Sequence, residues 1–125
     1  MYNKKTQLSF LLGLFICLSS WHISAQSDYS NYTSFTKKLK DLQRNYSTNA
    51  NLKELVTTIG GHKIWSLTLS KGNAKNKPAI AIVSGVDGKH LLGPEMAYSI
   101  AENLLKNHPD VLEKTTFYIF PNMNP

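Results

Sequence analysis

AIAIVSGVDGKHLLGPE, residues Ala79 to Glu95, runs through three kinds of backbone in succession. Ala79 to Val83 is an unbroken run of small and β-branched residues, the composition of a strand buried on both faces. It gives way to the loop Gly85-Val86-Asp87-Gly88-Lys89-His90 and then to a helix, with Gly93 as the expected N-cap and Pro94 as the expected first residue. Ala97, Ile100, Ala101, Leu104 and Leu105 recur at helical spacing and form its expected apolar face. In α/β sheets, ligands gather in the loops that leave the carboxyl ends of strands. The loop carrying Asp87, Lys89 and His90 is therefore the first place to look for a site.

Working outward, Thr116 to Phe120 reads as a further strand, separated from the helix by the His108-Pro109 stop. Upstream, Lys71 to Pro78 is a polar connector. Before it, Leu55 to Ile59 and Lys63 to Leu69 read as a hairpin turning at Gly60-Gly61. Trp65, Leu67 and Leu69 point to one side of the second strand, Ser66 and Thr68 to the other. Phe35, Leu39, Leu42 and Tyr46 define an amphipathic helix that ends within Ser47 to Asn51. Helix, hairpin, buried strand, helix and strand make up the opening of a mixed-sheet α/β domain. The expected layout is a signal peptide over 1–25, a mobile leader over 26–31, and over 32–125 the N-terminal portion of a larger, enzyme-sized domain.

The first segment has the pattern of a secretory signal peptide: Lys4 and Lys5 as its positive end, Leu8 to Leu18 as its apolar core, and an exit ending Ile23-Ser24-Ala25. Cleavage is expected after Ala25. The apolar core is too short for a stable membrane span. Ile16 before Cys17 makes lipidation the weaker reading, and removal of the segment leaves no cysteine. A secreted or periplasmic location without disulfides follows. Cleavage also leaves 12 Lys and Arg against 8 Asp and Glu. That excess is scattered and not interleaved with aromatic residues, so a nucleic-acid partner is excluded.

Leu55 to Pro125 resembles the zinc carboxypeptidases of the carboxypeptidase A type, peptidase family M14. The pieces that carry the resemblance are Ile59-Gly60, Gly61-His62-Lys63-Ile64, Lys77-Pro78, Gly85-Val86-Asp87-Gly88-Lys89-His90, Pro94-Glu95 and Asn124-Pro125, all in the family's order. The resemblance implies a mixed-sheet metallocarboxypeptidase-like fold, of the phosphorylase/hydrolase-like kind, with only its N-terminal part present. It also implies Zn(2+) as cofactor and peptide or protein C-termini as substrate. The third zinc ligand, the general base and the groups that grip a substrate's terminal carboxylate are expected beyond Pro125.

The metal motif departs from the family's pattern. A zinc-binding His and Glu are expected three residues apart, with the helix-opening Pro seven after the His; here Asp87 stands where His is expected and His90 where Glu is expected. A carboxylate oxygen and an imidazole nitrogen are both zinc donors, so the pair is inverted but keeps its chemistry. Two readings stand. In one, Asp87 and His90 hold zinc in a secreted carboxypeptidase that hydrolyses C-terminal peptide bonds or a related amide through a zinc-activated water. In the other, the motif has decayed and the domain binds peptides or glycans without cleaving them. Glu95 is expected to serve the helix dipole, Lys89 and His62 are expected at the solvated surface, and His108 is expected at a helix C-terminus, where the dipole favours a cation.

Overall fold

Asn31 starts the first helix. Its side-chain oxygen accepts a hydrogen bond from the Ser34 amide at 2.9 Å and satisfies one of the free donors at the start of α1 (Tyr32–Asn45). These observations come from a computed structural model, which describes residues 29–125. The signal-peptide reading over 1–25 lies outside the described residues. Phe35, Leu39 and Leu42 form the buried stripe of α1, as their spacing predicts.

Four strands follow: β1 (Ala50–Thr57), β2 (Lys63–Leu69), β3 (Ala79–Val83) and β4 (Thr116–Phe120). They form a mixed sheet in the order β1-β2-β4-β3, in which β3 and β4 are parallel and the other neighbours antiparallel. A parallel pair needs a crossover, and α2 (Leu92–Asn107) with the short α3 (Val111–Lys114) supplies it. In the centre of the sheet Leu67 lies opposite Ile119 and Leu69 opposite Phe117. These four share one buried cluster with Phe35, Leu39 and Leu42 of α1 and with Ala97, Ala101 and Leu105 of α2. Each fully buried leucine there contributes about 1.5–3 kcal/mol.

Several boundaries and burials differ from the sequence reading. The first strand begins at Ala50, not Leu55, because α1 already ends at Asn45 and a tight turn brings the Ala50 amide to the Tyr46 carbonyl at 2.8 Å. Leu91, not Gly93, is the N-cap of α2, and Pro94 sits within the first turn, where its missing amide costs nothing. Ile100 is 40% exposed and stands outside the buried stripe of Pro94, Ala97, Ala101 and Leu105.

Within the described residues β3 lies at the edge of the sheet, with Ile80 48% and Val83 56% exposed, although its composition is that of a strand covered on both faces. Among the described residues only β4 pairs with it. An apolar run specifies what a strand needs, not what is present to cover it.

Candidate functional site

The parallel strands β3 and β4 deliver their following loops side by side. The ladder continues past the strand ends: the Ser84 amide donates to Phe120 O at 2.9 Å, Met123 N to Ser84 O at 3.1 Å and Asn124 N to Gly85 O at 2.8 Å. Asn124 Nδ2 donates to Val86 O at 3.3 Å. The approach is close enough to demand glycine. A Cβ on Gly85, whose φ is +61°, would lie 2.5 Å from Asn122 Oδ1, and one on Gly88 would lie 2.8 Å from Asn124 O. The loop before α2 is therefore seated on Asn122 and Asn124.

On that seat, Asp87 and His90 form one turn. The His90 amide donates to Asp87 O at 3.1 Å, and the Lys89 amide donates to Asp87 Oδ1, also at 3.1 Å. The second carboxylate oxygen stays free to face the imidazole: Asp87 Oδ2 and His90 Nε2 are 3.3 Å apart, with the side chains 62% and 80% exposed. Charge-assisted hydrogen bonds are shorter, about 2.7–2.9 Å. Two donors at about 2.0–2.1 Å from a tetrahedral zinc, however, stand about 3.3–3.4 Å from each other. The donor types, at a separation that a His–Asp ion pair also shows, are compatible with two corners of a zinc site. Among the described residues, no group of three or more His, Cys, Asp and Glu side chains converges.

Two other sequence candidates have different places. Glu95, only 17% exposed, accepts hydrogen bonds from the Ser30 amide at 2.9 Å and from Lys38 Nζ at 3.0 and 3.3 Å. Burial pushes its carboxyl pKa up, but the Ser30 and Lys38 hydrogen bonds together outweigh burial and hold it below the usual value. It neither joins the Asp87–His90 pair nor serves the dipole alone, and Ser30, read as mobile leader, is tied down by it. His62 is not freely solvated: its ring stacks on Tyr32 at 4.1 Å, and the Tyr32 hydroxyl accepts from the Lys63 amide at 2.6 Å. Lys89 is exposed as expected, and His108 is the C-cap residue of α2, at the helix end where the sequence places it. Sequence reasoning missed Asn122, Asn124 and Lys38, whose roles depend on contacts across the fold.

The profile of the peptidase M14 family, described as zinc carboxypeptidase, matches residues 35–125. The chain belongs to that family. Its fold is similar to that of carboxypeptidase A from Helicoverpa armigera, with a TM-score of 0.72 at 19% identity, covering 98% of this chain and 32% of that one. The metallo-carboxypeptidase of Burkholderia cenocepacia gives a TM-score of 0.68 at 22% identity, covering 78% of this chain and 27% of that one. Bovine thrombin-activatable fibrinolysis inhibitor, solved with tick carboxypeptidase inhibitor, gives 0.68 at 15% identity, covering 78% of this chain and 31% of that one. The chain spans about a third of the length of these structures. A comparison with curated proteins finds no match.

Proposed function

We propose that this chain supplies two zinc ligands, Asp87 through Oδ2 and His90 through Nε2, to a secreted carboxypeptidase that removes residues from peptide C-termini. The observation that carries the proposal is the 3.3 Å separation of those two atoms, the edge length of a tetrahedral zinc centre. Zinc in such a site supplies a polarised scissile carbonyl and a water acidified toward neutrality. The residues of this chain bind and orient. The Lys89 amide, on Oδ1, fixes the plane of the Asp87 carboxylate, and the His90 amide closes the turn that brings the imidazole alongside. Gly85 and Gly88 let the loop settle onto Asn122 and Asn124, so the pair rides on the ends of two sheet strands. Secretion is part of the proposal and rests on Lys4, Lys5 and the Leu8 to Leu18 run.

The second reading, a domain that binds peptides or glycans without hydrolysis, draws on the inverted order of the pair and its high exposure. The full-length protein, incubated with peptides of varied C-termini, distinguishes the two by mass spectrometry. The carboxypeptidase reading expects loss of single C-terminal residues, stopped by a chelator, restored by zinc, and reduced at least roughly a hundredfold in Asp87→Ala and His90→Ala. Peptides retained intact on the protein would support the binding domain and overturn hydrolysis.

A further inference from the structure

The loop that carries Asp87 and His90 ends in a helix that starts without a cap. Leu91, at the N-cap position of α2, is in helical geometry and offers no side-chain hydrogen bond to the first turn. The first backbone link, Glu95 N to Leu91 O, is long at 3.4 Å. Pro94 is buried in that first turn, but the residues leading into it are not, with Val86 70%, Leu91 40% and Leu92 52% exposed. An uncapped helix start next to exposed loop residues frays unless something outside the helix holds it.

Glu95 is the residue of that first turn with outside partners. Its carboxylate takes the Ser30 amide and the Lys38 ammonium, the one just ahead of α1 and the other on it. The same junction carries Tyr98, one turn on, whose ring meets Phe35 edge-on at 6.4 Å and lies 5.7 Å from Lys38 Nζ. One carboxylate thus joins the segment before α1, α1 itself and the first turn of α2. Below the loop, Asn122 and Asn124 fix its beginning; Glu95 fixes its end.

We infer that Glu95 is a positioning residue of the candidate site: through Lys38 and the Ser30 amide it holds the start of α2 against α1, and so holds the Asp87–His90 turn in shape. The inference rests on the reading of that pair as metal ligands, and its test separates the two. In the full chain, Glu95→Gln keeps the shape and removes the charge. Lys38→Met removes the partner from a half-exposed position, should the first variant fail to fold, and Lys38→Arg restores it. Zinc titration followed by the His90 imidazole NMR signals gives the affinity, and hydrogen exchange of the 86–92 amides reports loop order without metal.

The expected result is faster exchange across 86–92 and at Ser34 in Glu95→Gln and Lys38→Met, with zinc affinity lowered roughly tenfold, and near-parental values in Lys38→Arg. Unchanged exchange at 86–92 and unchanged zinc affinity in folded Glu95→Gln would overturn the inference. A parent that gives no zinc response while exchange still rises would sink the metal reading and leave the clamp standing.

Discussion

Gly85 shows at single-residue scale how tightly the site is built. Its φ of +61° is strained for any L side chain, and an added Cβ would meet Asn122 at both Oδ1 and Cα. Gly85→Ala is expected to lose about 2 kcal/mol or more, read as a lowered urea midpoint at unchanged slope. A loss below about 0.5 kcal/mol would mean that the loop does not rest on Asn122. That Gly85 and Gly88 are glycines is visible in the sequence, but the reason is not. It lies in a neighbour more than thirty residues away, brought alongside by parallel pairing. Asp87 and His90 stood out because they lie in the loop at the carboxyl end of a strand and at the places where the resemblance puts the family's metal-binding His and Glu. Lys38 looked like one more surface lysine among several, since nothing local distinguishes a cation that reaches a carboxylate 57 residues away.

At the level of elements, periodicity read the two long helices and the central strands correctly, missed the single turn of α3 and read the junctions poorly. Phe35, Leu39 and Leu42 fell where the 3.6 period puts them, and Leu67 and Leu69 share a buried face as the alternation requires. The start of β1 was misplaced because Ala50 to Glu54, ANLKE, has weak strand composition, and pairing with β2 decides its state. β3 keeps the composition of a strand covered on both faces, and within the described residues β4 alone pairs with it. The contact between α1 and α2 carries a pH dependence. The pKa of Glu95 is lowered by folding, so the stability it contributes is complete above the unfolded carboxylate value of 4.5 and fades as pH falls through the folded value. Parent and Glu95→Gln should therefore differ in stability by about 1 kcal/mol at neutral pH and converge in acid. A gap that stays constant down to about pH 3 would show that Glu95 acts through shape rather than charge.

Across the described residues, a mixed sheet with α1, α2 and α3 all contributing to one buried cluster presents its parallel strand ends as a platform, and the candidate site sits on that platform. The chain spans about a third of the solved carboxypeptidases it matches. The two donors found here are accordingly offered as part of a site, and their value depends on whether a metal occupies it. Zinc content of the full-length protein after exhaustive dialysis, measured by elemental analysis beside Asp87→Ala and His90→Ala, tests this most directly. About one zinc per chain is expected in the parent and none in either variant, with all three proteins folded. A folded parent without zinc, or variants that keep it, would show that Asp87 and His90 do not hold the metal.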